Sequence, residues 1–121
     1  MQLNKRAQGQ HYEAVAEKYL IGCGLSPIER NFLIKGGELD LIMKHGETIV
    51  FVEVRYRLSQ AYGHAAETVT TGKVRKLVKA ATLWLAKNGL SIHSTDFRFD
   101  LVAIHQHGKQ IEWIKNAITQ G

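Results

Sequence analysis

The stretch from Gly37 to Arg55, GELDLIMKHGETIVFVEVR, constrains this chain more than any other. Largely apolar runs lie on both sides of His45-Gly46, the pattern of two strands joined by a tight turn. Glu38, Asp40 and Glu53 sit inside those apolar runs. An ionised carboxylate in an apolar setting is costly unless it is paired or bound to metal, so the hairpin must bring partners to its acids.

The faces follow from the turn. A loop of two or four residues centred on His45-Gly46 sets Met43 opposite Thr48, Asp40 opposite Phe51 and Glu38 opposite Glu53. Opposed residues share a face, so alternation predicts that Glu38, Asp40, Ile49, Phe51, Glu53 and Arg55 project together. Asp40 and Glu53 would be diagonal neighbours with Cα atoms roughly 7–8 Å apart, a separation that one divalent cation can bridge. A slip of one residue would send Asp40 to the opposite face.

With 121 residues, 45% hydrophobic and 22% charged, the chain is expected to form a single domain with a real core. It has no apolar run near the ~18 residues that span a bilayer, and its first residues, MQLNKR, lack the apolar core of a signal peptide, so no membrane association and a cytoplasmic location are expected. The single cysteine, Cys23, excludes an internal disulfide and a multi-cysteine zinc site. Sixteen Lys and Arg against 11 Asp and Glu give a net charge of +5, which suits a polyanionic partner and equally suits simple solubility.

Residues 1–9 are polar and basic and read as a loose arm. From His11 to Cys23 the apolar residues Tyr12, Val15, Ala16, Tyr19, Leu20 and Cys23 keep a helical period, with Glu13 and Glu17 at the border of the stripe and Gly22 and Gly24 closing it. Pro27 introduces a strand over 28–34, and Lys35-Gly36-Gly37 turns the chain into the hairpin, giving a three-stranded meander. The polar stretch 56–70 reads as a loop long enough to be a lid or a substrate contact. A helix follows over 71–88, capped by Thr70 or Thr71 and closed by Gly89, with an apolar face of Val74, Leu77, Val78, Ala81, Trp84 and Leu85. Residues 97–104 read as a buried strand with Arg98 and Asp100 on one face, 105–108 as a turn whose His105 and His107 have metal-compatible spacing but no third ligand, and 111–114 as a last short strand. Helix, three strands, helix, two strands implies an α/β fold with a mixed sheet between helices.

Lys73, Arg75, Lys76 and Lys79 crowd the first turns of the second helix, where the dipole disfavours each cation by roughly 0.3–1 kcal/mol. A phosphate backbone would reverse that cost; a solvated basic surface is the plainer account. The hairpin acids carry a similar choice. Asp40 and Glu53 could hold Mg²⁺ or Mn²⁺, with the Val54 carbonyl as a further oxygen, Glu13 as another acid and Arg55 beside an attacked phosphate. Alternatively Glu38, Asp40 and Glu53 form a salt-bridge network with Arg30, Arg55 and Arg57. No phosphate-binding G-x-x-x-x-G-K-[ST], no G-x-S-x-G and no paired C-x-x-C is present.

Asn31-Phe32, Gly37-Glu38-Leu39-Asp40-Leu41-Ile42, Phe51-Val52-Glu53-Val54-Arg55-Tyr56-Arg57, Tyr62-Gly63, Lys73 and Arg98-Phe99-Asp100 together resemble the YraN family of bacterial proteins in order and spacing. That family is similar to PD-(D/E)xK, restriction-endonuclease-like nucleases, and within them to archaeal Holliday-junction resolvases. The resemblance implies a mixed β-sheet flanked by α-helices and a divalent-metal-dependent nuclease acting on structured or branched DNA. It implies Asp40 and Glu53 as metal ligands, Glu13 as the acid of the first helix, and Arg55 in the place of the motif lysine. Arginine keeps the charge and can steady a phosphate, but it cannot become a neutral amine base. Arg57, Lys73, Arg75, Lys76 and Lys79 are then the candidate contacts to nucleic acid. The alternative is a non-catalytic nucleic-acid-binding protein that keeps the nuclease fold, and a homodimer is a candidate assembly.

Overall fold

The computed structural model describes residues 5–57, 70–105 and 108–118, apart from the side chains of Lys5 and Arg57. Most of the expected lid, with Tyr62-Gly63, and His107 lie outside the described residues. The elements in order are α1 (Lys5–Gly22), β1 (Ser26–Ile34), β2 (Gly37–His45), β3 (Thr48–Arg57), α2 (Thr71–Lys87), β4 (Phe97–His105) and β5 (Gln110–Ile114). They form one five-stranded sheet in the order β1-β2-β3-β4-β5. β3 and β4 are parallel and the other neighbours antiparallel, because only short connections of a few residues separate the strands everywhere except across α2. The expected class, a mixed sheet flanked by helices on a restriction-endonuclease-like plan, is the one the chain adopts.

Each helix covers one face. Tyr12, Ala16 and Leu20 of α1 are buried with Leu41, Met43, Val50, Val52, Val102 and Ile104. Leu77, Ala80, Ala81, Trp84 and Leu85 of α2 are buried with Leu39, Ile42, Ile49, Phe51 and Phe99. α2 starts where the sequence indicates, since the Thr70 hydroxyl accepts from the Lys73 N–H at 3.2 Å and fills one of the unpaired donors of the first turn. It ends on Gly89 at φ 73, the left-handed position that glycine takes without strain. α1 starts earlier than the periodicity predicts: residues 5–9, expected in a loose arm, are helical. Lys, Arg, Ala and Gln are good helix formers, so the first turns extend the amphipathic segment without needing to bury anything. Cys23 follows the helix end and is exposed.

The hairpin differs from its expected register. Gly46 adopts φ 62 and the loop is Gly46-Glu47, so His45 pairs with Thr48 and Ile42, not Asp40, faces Phe51. A displacement of two residues keeps the face of every side chain. The face of Asp40 changes for another reason. Asn31 has φ 56 in the middle of β1, and the β1–β2 pairing skips it, passing from Arg30↔Leu41 to Phe32↔Leu39. At that point consecutive residues turn to the same side. Arg30 and Asn31 both meet acids of α1, while Leu41 packs under α1 and Leu39 under α2. Asp40 and Glu38 therefore project toward α1, whereas Ile49 and Phe51 pack under α2 and Glu53 continues their row to meet Lys73 of α2. The expected shared face of Glu38, Asp40, Glu53 and Arg55 is replaced by acids on both faces of the sheet.

Arg98-Phe99-Asp100 finds a structural use at the other end of the sheet. Asp100 is fully buried and accepts from Arg98 Nε at 2.9 Å, Trp113 Nε1 at 2.9 Å and the Asn116 N–H at 2.8 Å. Arg98 Nη2 also meets His45 Nδ1 at 2.9 Å, so one buried carboxylate ties β2, β4 and β5 together. His105, expected in a turn, is the buried last residue of β4.

Candidate functional site

Three acids converge where β1 and β2 change face. Glu13 comes from α1, Glu38 and Asp40 from β2, and one carboxylate oxygen of each lies within 4.8 Å of the others. Glu13 is buried because the helical period that buries Tyr12 and Ala16 carries it to the sheet, while Glu17, one turn on, pairs with Arg30 at 3.2 Å. The Asn31 amide, oriented so that its nitrogen donates, spans Glu13 at 2.8 Å and Glu38 at 3.1 Å. Glu13 and Glu38 of this cluster line a cleft of about 520 Å³ together with Arg6, Gln10, Asn31 and Leu33.

Asp40 links this cluster to β3. The β2–β3 pairing runs to Leu41↔Val52 and stops, and there the Asp40 Oδ2 accepts from the Val54 N–H at 2.9 Å. Its carboxyl is pushed up to about 8, by burial first and by the Glu53 charge next, with the Val54 N–H pulling the other way and Glu13 and Glu38 adding to the rise. Burial and the Glu38 charge also push the Glu13 carboxyl above its ordinary range, against the Asn31 hydrogen bond that lowers it. The site thus holds more negative charge than its surroundings stabilise.

Glu53 is 5% exposed. Its Oε1 is 3.3 Å from Lys73 Nζ and 3.6 Å from Arg55 Nε, the second an ion pair too long for a hydrogen bond. Its Oε2 is buried with no hydrogen-bond partner among the described residues. Of the expected nucleic-acid contacts, Lys73 is turned onto Glu53, Arg75, Lys76 and Lys79 are exposed, and the Arg57 side chain lies outside the described residues. Among the described residues the ion pairs at this end of the sheet go to Glu17 and Glu53, not to Glu13, Glu38 or Asp40.

The residues present fit a hard divalent cation. Carboxylate oxygens alone, three within one ion's reach, are the donor set that Mg²⁺ and Mn²⁺ take, and no thiol or imidazole competes among them. Sequence reasoning assigned no role to Asn31 and left Glu38 in a salt-bridge network. The available signal was an asparagine inside an apolar strand, since Asn is the non-glycine residue that most readily takes left-handed backbone.

A mixed sheet between two helices, with acids gathered where its strands part, is an α/β arrangement consistent with a restriction-endonuclease-like fold. The family model described as "Uncharacterised protein family UPF0102" matches residues 12–104, and the chain belongs to that family. A UPF0102 protein of Aliivibrio salmonicida is 57% identical over 118 residues, covering 98% of this chain and 96% of its own length. One of Vibrio cholerae serotype O1 is 55% identical over 119 residues, covering 98% of each. Among solved structures, Pyrococcus furiosus SfsA in complex with Ca²⁺ is similar with a TM-score of 0.38 and 15% identity, over 93% of this chain and 64% of that one. No helix among the described residues is long and apolar enough to cross a membrane.

Proposed function

We propose that this protein is a divalent-metal-dependent nuclease that hydrolyses phosphodiester bonds in DNA of branched or processed structure. The observation that carries the reading is the convergence of Glu13, Glu38 and Asp40 within 4.8 Å, in a setting that pushes the Asp40 carboxyl up to about 8. Such a cluster is unfavourable as it stands and favourable around a cation.

Asp40 and Glu13 would hold Mg²⁺ or Mn²⁺, with Glu38 completing the carboxylate set and the Glu53 charge near enough to act on Asp40. When bound, the ion supplies a water of lowered pKa and stabilises charge on the attacked phosphate. Arg55, half-buried beside Glu53, steadies a phosphate oxygen; as a guanidinium it keeps its charge and moves no proton. Arg75, Lys76 and Lys79, with Arg57, hold the nucleic-acid backbone, and Lys73 is divided between that surface and Glu53.

Incubating the full chain with branched, single-stranded and duplex DNA in Mg²⁺, Mn²⁺ or EDTA tests the reading. Metal-dependent cleavage that disappears in Asp40→Asn is expected; no cleavage, or cleavage unchanged in Asp40→Asn, sinks it. A second reading, a non-catalytic nucleic-acid-binding protein with a nuclease fold, draws on one observation: Glu53 Oε1 is already held by Lys73 and Arg55, so part of the acidic charge is neutralised from within. It requires salt-sensitive DNA binding that is indifferent to EDTA and to Asp40→Asn.

A further inference from the structure

We infer that Asn31 is the positioning residue of the acidic cluster, building a preformed site for a single hard divalent cation. The inference rests on the metal-site reading above and assigns the residue that makes the site. Asn31 acts in two separable ways.

The first is through its backbone. In an uninterrupted β2, Asp40 would project with Ile42, which packs under α2, away from Glu13. Asn31 at φ 56 lies where Asp40 would pair, and the two strands change face together at this point. The left-handed backbone of one strand is thus matched to the direction of the carboxylate on the next. Asn tolerates that backbone better than other non-glycine residues, because its short polar side chain finds local hydrogen bonds.

The second is through its amide. The two N–H bonds of one Nδ2 are directed at Glu13 and Glu38, 2.8 and 3.1 Å away, which uses its donor capacity in full. An amide orients two carboxylates without neutralising either. Lysine or arginine in its place would cancel the charge and close the site as a salt bridge; asparagine fixes the geometry and leaves the charge for a cation. A separate observation bears on the same cluster: Glu53, 5% exposed, is paired with Lys73 and Arg55 through Oε1 only, its Oε2 is buried without a hydrogen-bond partner among the described residues, and its charge raises the carboxyls of both Asp40 and Glu13.

Asn31→Gly separates the two contributions, because glycine keeps the left-handed backbone and removes the amide. The full chain is titrated with Mn²⁺ alone, and free Mn²⁺ is read by electron paramagnetic resonance beside wild type and Asp40→Asn, with far-UV circular dichroism as the check on folding. Wild type is expected to bind one Mn²⁺, Asp40→Asn to lose it, and Asn31→Gly to fold normally and bind roughly 10–100-fold more weakly, the usual effect of losing a residue that orients metal ligands. Binding by Asn31→Gly equal to wild type overturns the assignment while the metal site stands. Absence of Mn²⁺ binding by wild type overturns both. Should Asn31→Gly fail to fold, wild type alone decides: on titration with Mg²⁺ the Asn31 side-chain N–H resonances must shift more than those of the exposed Asn88 and Asn116, and Asn31 resonances that stay fixed refute the assignment.

Discussion

Replacing Asp40 by asparagine should make the metal-free protein more stable at alkaline pH, the reverse of the usual result for deleting a partner of a buried ion pair. The sign follows from the direction of the shift. The Asp40 carboxyl is raised from an ordinary 3.8 to about 8 in the folded chain, so the folded state resists ionisation and stability falls as pH climbs between those values. The rise from 3.8 to about 8, at about 1.36 kcal/mol per tenfold change in proton affinity, bounds the loss at roughly 5–6 kcal/mol. Asp40 is partly exposed, and solvent screening of its charge reduces the expected loss to about 2–3 kcal/mol. Asparagine still offers an oxygen to the Val54 N–H, so the backbone contact at 2.9 Å is kept while the charge is gone. Urea unfolding in EDTA at pH 4.5 and pH 8 reads the difference. Wild type and variant should agree within about 1 kcal/mol at the lower pH and differ by about 2–3 kcal/mol in favour of the variant at the higher. Adding Mn²⁺ at pH 8 should stabilise wild type and leave the variant unchanged. A variant less stable than wild type at pH 8, or a difference that does not depend on pH, refutes the account of the site.

Asp100→Ala should cost about 2–4 kcal/mol in urea unfolding, because it strands the half-buried Arg98 and leaves Trp113 Nε1 and the Asn116 N–H without their acceptor. Mn²⁺ affinity per folded molecule should be unchanged, and its loss would place Asp100 in the site instead. Replacing Arg75, Lys76 and Lys79 together by Gln should reduce the dependence of duplex DNA affinity on salt by about 0.9 per cation in the log–log slope. An unchanged slope means that the backbone runs elsewhere on the surface.

The parts of the fold that repeat a simple period were legible in the sequence. α2 could be read end to end, because Thr70, Gly89 and an unbroken apolar stripe act locally and tertiary packing agrees with them. The hairpin was legible as two strands, but its loop was set too close to His45, and the glycine that needs φ 62 decides that point. What alternation could not supply was the change of face at Asn31 and Asp40. It is a property of two strands taken together, and it moves Asp40 from the α2 side to Glu13 through the left-handed backbone of Asn31 on the neighbouring strand. Lys73 shows a different limit. Its place in a basic run suggested solvent or phosphate, and only packing α2 against β3 reveals the buried Glu53 within 3.3 Å.

The two faces of the sheet meet at one point, and this makes the site testable as a unit. Glu13, Glu38 and Asp40 lie on the α1 side; Glu53, with Lys73 and Arg55, lies on the α2 side. Asp40 reaches across, because its carboxylate takes the Val54 N–H where the strand pairing has stopped, and the Glu53 charge is the second contribution to its raised pKa. Asp40→Asn and Glu53→Gln should therefore relieve the same repulsion. Each single change removes all of it, and the double variant has none left to remove. At pH 8 in EDTA the double variant should fall short of the sum of the singles by about 0.5–3 kcal/mol, the range for charges that interact directly. Pairing Asp40→Asn with Lys79→Gln, an exposed position on α2, supplies the control and should be additive within about 0.5 kcal/mol. Additivity in the first pair would mean that the sheet insulates its two faces, and the carboxylates of β2 and β3 could then not serve one ion.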